Sequence, residues 1–429
     1  MNMKDIIKES ISDFHERKLE GIKPREMALP LNTGKIISAL GVRRSGKTYL
    51  LLDTIKRLLA KGIDLKRMLY LNFEDERLQL KISELDLILQ AYRELFPDAD
   101  LSKTYFFFDE IQNFEGWEKF IRRVYDSITK NIYLTGSNSK FLGKEIATSL
   151  RGRTVTYEVY PLSFREYLIF SELNSNDTSS KNKAKLVNAF DNFLKKGGFP
   201  ETINMNDVLR DKTLQEYFNI MLYKDMVERY KISNTDILKY FLERLLYNLG
   251  KPTSVNKIYN ELKSNNYKTT KNVLYDMLDW AESIYYLFRV YKLNFSRIDR
   301  EKSDKKVFIV DNGLINSLTF RFSEDYGQLL ENLIAVHLKM KYGDKLFYFK
   351  NGSECDFVAY DKNKPVQVIQ VSYDVSDSDT LARELRGLND ACNYVGMNKA
   401  TVVTQNNEKH LKYNGITVNL IPAYKFLLT

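Results

Sequence analysis

Residues 41–48 read Gly-Val-Arg-Arg-Ser-Gly-Lys-Thr, the complete pattern Gly-x-x-x-x-Gly-Lys-Ser/Thr of a phosphate-binding loop. Its glycines allow successive backbone amides to converge on phosphate oxygens. Lys47 is predicted to reach the β- and γ-phosphates, and the Thr48 hydroxyl to coordinate Mg²⁺. The sequence therefore predicts a site for a nucleoside triphosphate with Mg²⁺, formed by Gly41, Val42, Arg43, Arg44, Ser45, Gly46, Lys47, Thr48 and Tyr49.

The segments on both sides of this loop supply the context that the pattern requires. Residues 35–40 form a short apolar run that is typical of a buried strand. Residues 49–59 carry apolar side chains at helical spacing, and Gly62 is placed to end that helix. The order strand, loop, helix puts the positive end of the helix dipole against the phosphates. A glycine-rich turn that contains lysine by chance is the alternative, and the flanking pattern disfavours it.

A second segment supplies two acids. Residues 104–111 read Thr-Tyr-Phe-Phe-Phe-Asp-Glu-Ile, which predicts a buried parallel strand whose carboxyl end meets a ligand. Asp109 is expected to hold Mg²⁺, directly or through water, and Glu110 to activate the attacking water as general base. An acidic loop edge without catalytic role is the alternative, but its position after the phosphate loop favours a hydrolytic pair.

Length and composition describe a folded protein of more than one domain. The 429 residues exceed the size at which single cores stop growing, about 250–300 residues. The two cysteines lack metal-ligand spacing and the three histidines lie far apart, which disfavours a zinc site. Because neither a long apolar run nor a signal-peptide pattern is present, we expect a reduced, cytoplasmic protein. The net charge of +9 permits an anionic partner without requiring one.

Strand-like and helix-like segments alternate around these motifs, which indicates an α/β fold with a parallel sheet. After a further strand at residues 131–137, Ser137 or Asn138 is placed where a polar side chain can sense the γ-phosphate, although the sequence there is also typical of a turn. Arg151 and Arg153 are candidates for the charge that stabilises the transferring phosphoryl group, within one subunit or across to a neighbour. A solvated turn that carries two arginines is the alternative.

Further short motifs are spread along most of the chain. They are Phe-Asp-Glu-Ile-Gln at 108–112, Leu-Thr-Gly-Ser-Asn-Ser at 134–139, Leu-Arg-Gly-Arg at 150–153, Tyr-Pro-Leu-Ser-Phe-Arg-Glu-Tyr at 160–167, Gly-Gly-Phe-Pro at 197–200, Leu-Tyr-Lys-Asp-Met-Val-Glu-Arg at 222–229 and Val-Asp-Asn-Gly-Leu at 310–314. With the phosphate loop, they resemble the bacterial and archaeal AAA-type ATPases that carry a C-terminal domain of unknown function. The resemblance implies a P-loop ATPase core that uses ATP, a small helical lid, a winged-helix segment and a restriction-nuclease-like α/β domain at the C-terminus.

The order of helix-like and strand-like segments in the middle of the chain also predicts a winged helix, independently of the resemblance. A helix through residue 262 and a second from about residue 270 are joined by a polar turn, and strand-like segments follow at 285–293 and 306–310. Residues 251–306 hold twelve Lys and Arg against seven Asp and Glu, so this segment is basic. The predicted contacts with DNA phosphates are Lys268, Lys271, Arg297 and Arg300, with Lys302, Lys305 and Lys306 beside them. Acidic residues on the same helix leave a protein-docking winged helix as the alternative.

The C-terminal segment departs from an active nuclease pattern. In the fold that it resembles, a helix acid, a strand Asp and a later Glu-x-Lys hold Mg²⁺ and position water. Glu331 and Asp356 match the first two acids, but Gln370 and Ser372 stand where Glu and Lys belong. A neutral amide is a weak ligand for a hard cation, and serine supplies no positive charge. We therefore expect a degenerate, inactive nuclease site, with an active variant as the alternative.

These patterns predict five segments, namely a helical N-terminal segment at 1–33, the ATPase core at 34–165, a helical lid at 166–232, a winged helix at 233–311 and a nuclease-like domain at 312–429. The favoured function is a Mg²⁺-dependent ATPase that couples nucleotide state to rearrangement of the basic C-terminal half. Double-stranded DNA, a protein partner and further copies of the chain are the candidate partners. A nucleotide-switched DNA- or protein-binding regulator with little turnover is the alternative, and an ATP-dependent nuclease is a less favoured one.

Overall fold

The computed structural model describes residues 2–137, 150, 152–174, 179–319 and 325–429. The chain divides into two units, one formed by residues 2–160 with 283–285 and the other by residues 161–282 with 286–429. Each unit is built on a sheet of its own. In the part of the chain that is described, no helix is both long and apolar enough to cross a membrane.

The first unit has a five-stranded parallel sheet flanked by helices. Its elements in chain order are α1 (Met3–Glu16), β1 (Ile36–Gly41), α2 (Lys47–Ala60), β2 (Met68–Asn72), α3 (Asp86–Leu95), β3 (Tyr105–Asp109), α4 (Trp117–Ser127), β4 (Ile132–Gly136) and β5 (Thr154–Val159). The strand order is β2-β3-β4-β1-β5, and every neighbouring pair is parallel. Strands β1, β3 and β4 are buried along their whole length, as their apolar runs predict.

Helix α1 packs into the core of this unit. Its residues Ile7, Ile11 and Phe14 are buried at helical spacing on one face. The Phe14 ring stacks on the Tyr70 ring of β2 with centroids 4.5 Å apart. The N-terminal helix therefore covers one side of the sheet next to α3.

Strand β5 is an edge strand that the apolar pattern does not predict. It pairs with β1 in parallel register from Ile36↔Thr154 to Gly41↔Val159. Its sequence alternates polar and apolar residues, and within it only Val159 is fully buried. A half-exposed edge strand carries few apolar residues that would reveal it in the sequence. Its structure therefore depends on the pairing with β1.

The second unit combines a helical N-terminal half with a large mixed sheet. Its helices are α5 (Phe164–Phe170), α6 (Ser180–Lys196), α7 (Asp207–Ile220), a π-helix (Met221–Glu228), α8 (Thr235–Tyr247), α9 (Val255–Ser264), α10 (Lys271–Ser283), α11 (Arg297–Lys302), α12 (Asn312–Leu318), α13 (Tyr326–Tyr342), α14 (Ser378–Val395) and α15 (Ala423–Phe426). Its strands are β6 (Pro252–Thr253), β7 (Leu287–Lys292), β8 (Lys305–Ile309), β9 (Leu346–Asn351), β10 (Ser353–Asp361), β11 (Lys364–Val371), β12 (Lys399–Thr404), β13 (Lys409–Tyr413) and β14 (Ile416–Pro422).

These strands form one sheet in the order β13-β14-β12-β11-β10-β9-β7-β8-β6. Strands β7 and β9 pair in parallel through Tyr291↔Phe347 and Lys292↔Tyr348. The strands predicted for the winged helix and those predicted for the nuclease-like domain are therefore hydrogen-bonded into a continuous sheet. Residues on β8 are consequently brought to the side of β10 and α13, where the predicted nuclease acids lie.

Two motifs that are far apart in sequence meet in this unit. The buried carboxylate of Asp311 accepts hydrogen bonds from the backbone N–H of Gly198 at 2.6 Å and of Gly313 at 2.8 Å. Asn312 donates to the carbonyl oxygens of Leu194 and Leu329. The Gly-Gly-Phe-Pro and Val-Asp-Asn-Gly-Leu motifs thus fasten α6 to the start of α12.

Candidate functional site

The phosphate-binding loop connects the carboxyl end of β1 to the amino end of α2. A Cβ atom at Gly41 would stand 1.9 Å from the carbonyl oxygen of Val159, so only glycine fits beside β5. Gly46 adopts a left-handed conformation, φ 95° and ψ 22°, immediately before the helix. The first amides of α2 have no partner within the helix, and they make this end of it suited to an anion.

Lys47 begins α2 and has only 3% of its side chain exposed. Its Nζ donates to the carbonyl oxygen of Val42 at 3.1 Å and pairs with Oε1 of Glu110 at 3.1 Å. The ammonium group therefore lies between the loop and the acidic end of β3.

Asp109 ends β3 and is completely buried. Tyr70 donates to its Oδ2 at 2.9 Å, Thr135 donates to its Oδ1, and the Thr48 hydroxyl is hydrogen-bonded to the same carboxyl group. Burial raises the pKa of Asp109, and the neighbouring Glu110 raises it further against the effect of the three hydroxyls. The two residues predicted as Mg²⁺ ligands, Thr48 and Asp109, are thus adjacent, and a cation beside them would favour the ionised carboxylate.

Glu110 is held in a fixed position next to Asp109. Its backbone is left-handed, φ 49°, which is uncommon for a residue with a Cβ atom. Its N–H donates to Oγ1 of Thr135 at 2.8 Å, and its Oε2 accepts from Nε2 of Gln112 at 2.6 Å. Burial alone would raise the pKa of Glu110, but the charge of Lys47 and the bond from Gln112 leave that pKa below its ordinary value. Glu110 is therefore a carboxylate at neutral pH.

Ser137 joins this group through the same amide, because Nε2 of Gln112 also lies 3.3 Å from Oγ of Ser137. The ends of β1, β3 and β4 thus bring Lys47, Glu110 and Ser137 into a single hydrogen-bonded arrangement. The sequence analysis missed the residues that connect it, namely Tyr70, Thr135 and Gln112. A polar residue at a strand end, as at Thr135, is a usable signal for such a role, whereas Tyr70 lies within a strand and carries no such signal.

The rest of the loop contacts residues from outside the motif. Arg43 pairs with Glu74 at 2.7 Å. Arg25 donates to the carbonyl oxygen of Ser45 at 2.8 Å and to that of Tyr160 at 2.9 Å. Arg25 therefore supports the loop from the chain that precedes β1, a role that no sequence pattern indicated. Tyr49 is 57% exposed at the start of α2.

Among the described contacts, none joins the candidate arginine Arg153 to this arrangement. Arg153 pairs with Asp126 through two hydrogen bonds, at 2.9 and 3.2 Å, and its Nη1 lies 3.4 Å from the carbonyl oxygen of Leu150. Arg151 lies outside the described residues. The guanidinium of Arg153 is thus engaged by α4 in this structure.

The four predicted DNA contacts lie on the surface of the second unit. Lys268 is exposed in the turn before α10, and Lys271 is exposed at the first position of that helix, 5.5 Å from the Tyr259 ring centroid. Arg297 is exposed on α11, and Arg300 is half-buried over the Phe347 ring. The expectation that Lys306 contacts phosphate is wrong, because Lys306 is 1% exposed and forms ion pairs inside the unit.

Two of the predicted degenerate nuclease residues pair with that lysine. Glu331 on α13 and Asp356 on β10 each pair with Nζ of Lys306, at 3.2 and 3.0 Å. Gln370 on β11 accepts through Oε1 from the Asp356 N–H at 3.1 Å. Ser372 lies just beyond β11, where its hydroxyl donates to the carbonyl oxygen of Asp374. Glu354, which the sequence analysis missed, completes the group at 2.9 Å from Nζ.

Comparison with known proteins supports the architecture described above. Residues 33–168 match a family described as an AAA domain, residues 187–325 match a domain of unknown function (DUF8612), and residues 326–426 match a second one (DUF4143). An uncharacterized protein of Methanocaldococcus jannaschii is 34% identical over 421 residues, which cover 94% of this chain and 91% of the relative. An uncharacterized protein of Haemophilus influenzae is 32% identical over 345 residues, which cover 80% and 83% of the two chains.

Among solved structures, AMPPCP-bound DnaA from Aquifex aeolicus is 14% identical, with coverage of 65% of this chain and 86% of that one and a TM-score of 0.26. The predicted P-loop AAA core with a C-terminal mixed-sheet domain is confirmed by the family match and by the sheets themselves.

Proposed function

The chain belongs to the family of proteins in which an AAA domain is followed by the domains of unknown function DUF8612 and DUF4143, and on this premise we propose that it binds and hydrolyses ATP. The observation that carries the proposal is the meeting of Lys47, Thr48, Asp109 and Glu110 at adjacent ends of β1 and β3. Each supplies one of the groups that phosphoryl transfer to water requires.

The residues present fit ATP with Mg²⁺. The phosphates would lie against the loop and the first amides of α2, which have no partner within the helix, and Lys47 would offset their charge. Thr48 and Asp109 would hold the metal ion, since a hydroxyl and a carboxylate are ligands that Mg²⁺ prefers. The bound ion would supply further positive charge for the phosphate oxygens during transfer. A buried carboxylate whose pKa is raised, such as Asp109, gains stability beside a cation.

We assign the general base to Glu110. Its low pKa keeps it ionised, and it would accept a proton from the attacking water once Lys47 is drawn to phosphate oxygens. Gln112 would then keep Oε2 in place and leave Oε1 for the water. Ser137, which shares the Gln112 amide, would sense the γ-phosphate. Arg151 and Arg153 stay candidates for the charge that stabilises the transition state, and Arg153 would have to leave Asp126 to act so.

The test is multiple-turnover ATP hydrolysis by Glu110→Gln beside wild type. We expect kcat to fall by about 10²–10⁴-fold, because the base is lost while the loop stays intact. Binding of a fluorescent ATP analogue should persist in the same variant. Glu115→Gln, the same change at an exposed position, is the matched control and should hydrolyse ATP like wild type. Normal turnover by Glu110→Gln would remove the base assignment.

A second candidate function is a nucleotide-switched regulator that binds DNA or a protein and turns over slowly. The ion pair between Lys47 and Oε1 of Glu110 supports it, since a base whose free oxygen is engaged limits hydrolysis until Lys47 moves away. Lys268, Lys271, Arg297 and Arg300 would supply its contacts with double-stranded DNA. Stimulation of the ATPase by DNA that fades with salt would favour coupling of the two activities. Equal DNA affinity with and without ATP would remove the switch.

We further propose the segment boundaries given above, with the lid at 166–232, the winged helix at 233–311 and the nuclease-like domain at 312–429. The helices α9 and α10 followed by β7 and β8 support the winged helix. A protein partner and self-association are further proposals, and sedimentation with and without ATP would test the latter.

A further inference from the structure

The environment of Lys306 in the second unit has no role in the proposed ATPase. Lys306 stands on β8, and 1% of its side chain is exposed. Its Nζ lies 2.9 Å from Oε1 of Glu354, 3.0 Å from Oδ1 of Asp356 and 3.2 Å from Oε1 of Glu331. These four residues, on β8, β10 and α13, are called the Lys306 cluster below.

The cluster satisfies the ammonium group completely. An ammonium has three N–H donors, and three carboxylate oxygens stand at hydrogen-bonding distance from this one. The separations of 2.9–3.2 Å are those of N–H···O bonds, whereas oxygen ligands stand about 2.0–2.6 Å from Mg²⁺ or Ca²⁺. Among the described residues, no group of three or more His, Cys, Asp or Glu is arranged to hold a metal ion.

The surroundings hold the carboxylates in this arrangement. Asp356 turns its second oxygen to the Val371 N–H at 3.0 Å. Glu354 turns its second oxygen to Lys350 at 2.9 Å. A Cβ atom at Gly250 would stand 2.5 Å from Oε2 of Glu331, so the backbone closes against that side chain. Asp356 and Glu354 therefore each have one oxygen bound by a neighbour and the other directed at Lys306, and the side chain of Glu331 is confined by the backbone at Gly250.

The charges of the cluster are balanced without a metal ion. Burial, and next the charge of Asp356, raises the pKa of Glu331, which disfavours a third negative charge. Burial opposes ionisation of Glu354, but Lys306 and Lys350 leave the pKa of Glu354 below its ordinary value. The pKa of Lys306 is raised by its carboxylates against the effect of burial, so it is a cation. One buried cation thus offsets most of the charge of its acids.

We propose that the ammonium group of Lys306 permanently occupies the position among Glu331, Glu354 and Asp356 that a divalent cation would need, so that this acidic cluster is a closed, metal-free site. A lysine that polarises water beside a metal ion needs a free N–H, and the carboxylates use all three donors of Lys306. If Lys306 is removed, we expect the acids to close on a divalent cation in its place, because their oxygens are then left without the ammonium group. The inference is independent of ATP hydrolysis, which involves none of these residues.

The experiment is titration of the nucleotide-free full-length protein with Mn²⁺, followed by the electron paramagnetic resonance signal of free Mn²⁺. The proteins are wild type, Lys306→Met, Lys350→Met and the double variant Lys306→Met with Asp356→Asn. Lys350→Met is the matched control, because Lys350 also pairs with Glu354 but is half exposed. Any binding by the phosphate loop is common to all four proteins and cancels.

Lys306→Met is expected to gain a Mn²⁺ site at least about tenfold tighter than any in wild type, since three carboxylates become free to bind it. Lys350→Met should bind like wild type, and the double variant should lose the gained site. The proposal is overturned if wild type already holds Mn²⁺ at a site that the double variant lacks, or if folded Lys306→Met gains none.

If Lys306→Met does not fold in EDTA, thermal unfolding with Mn²⁺ decides the matter. A cation that binds the folded state stabilises it, so the proposal requires Mn²⁺ to restore a cooperative transition in this variant and to leave wild type unchanged. Failure of Mn²⁺, Mg²⁺ and Ca²⁺ alike to restore folding would contradict the proposal.

Discussion

Lys47 in the first unit and Lys306 in the second are both buried lysines that pair with carboxylates, yet their surroundings differ in composition. Lys47 contacts one carboxylate, Glu110, and a loop carbonyl, and it lies at the amino end of a helix. Lys306 contacts three carboxyl groups and lies between the mixed sheet and α13.

The difference indicates which buried lysines can exchange their anionic partner and which cannot. A lysine with a single acid can trade that acid for phosphate oxygens, because the helix amides and the loop attract the same anion. A lysine whose three donors are all used cannot move without leaving several buried charges unpaired, which is the costly case. The same side chain thus serves as a ligand-binding group in one unit and as a fixed counter-ion in the other.

The largest expected effect is on stability, from Lys306→Met. Removal of the cation takes away the counter-ion of buried Asp356 and of the partly buried Glu331 and Glu354, so we expect the free energy of unfolding of the second unit to fall by about 3–5 kcal/mol in EDTA at pH 7. Urea unfolding followed by circular dichroism measures it. Lys350→Met, which removes a half-exposed partner of Glu354, should cost less than about 1 kcal/mol. Equal losses in both variants would contradict the assignment of Lys306 as the essential counter-ion.

The next effect separates function from stability at Lys47. Lys47→Met should lower kcat/KM for ATP by about 10²–10³-fold, since one positioned donor to the developing charge is removed. Unfolding free energy should fall by only about 1–2 kcal/mol, because one carboxylate is released and Gln112 still donates to it. Steady-state hydrolysis and urea unfolding are the two measurements. A loss of stability as large as that of Lys306→Met would remove the distinction between the two lysines.

The third prediction concerns the second partner of Glu110. Gln112→Ala removes the bond from Nε2 to Oε2, so the pKa of Glu110 should rise. A general base must be deprotonated, and a higher pKa therefore moves the acid limb of the pH–rate profile to higher pH. We expect kcat to drop about tenfold at the acid end, since a hydrogen bond to a charged group contributes about 1.5 kcal/mol or more, and to change little at pH 8. Gln90→Ala on the exposed face of α3 is the control, and an unmoved acid limb would show that Gln112 does not tune the base.

These contrasts also show which parts of the molecule a sequence can predict. The phosphate loop and the Asp109-Glu110 pair were recognisable because their chemistry depends on neighbouring residues and on strand ends. Tyr70 and Thr135 complete the same site through contacts across strands, and their positions follow from the register of the sheet. Gln112 lies in the turn after β3, where its side chain reaches back to Glu110.

Lys306 shows the limit more clearly. A pattern search looks for lysine two positions after residue 370, where Ser372 stands, whereas the structure supplies a lysine from a strand 50 residues before Asp356. By sequence Lys306 belongs to a basic segment that suggests a surface facing DNA. Only the pairing of β7 with β9 carries it to the acids of β10, and tertiary pairing of this kind has no local signature.

The smallest expected effect concerns His337, a buried histidine that lies near two cations. His337 on α13 packs edge-on against Phe426, and the charged groups that act on it are the cations Lys341 and Arg165. Burial and these cations lower the pKa of His337 to about 4, the reverse of what carboxylates do for Lys306. The unfolded chain has the ordinary histidine pKa of about 6.5, so between these values the unfolded state binds a proton that the folded state does not. Stability is therefore fully present above about pH 6.5 and is lost as the pH falls toward 4.

His337→Leu should remove that contribution. Between pH 7 and pH 5, the free energy of unfolding is expected to fall by about 1 kcal/mol less in the variant than in wild type. This value is reduced for the partial exposure of the ring. Urea unfolding at the two pH values measures the difference. His410→Leu, at an exposed ring bonded to Asn419, is the control and should follow wild type. If His337→Leu lost as much stability in acid as wild type, the lowered pKa of buried His337 would not be the cause of that loss, and the contrast with the two paired lysines would fail.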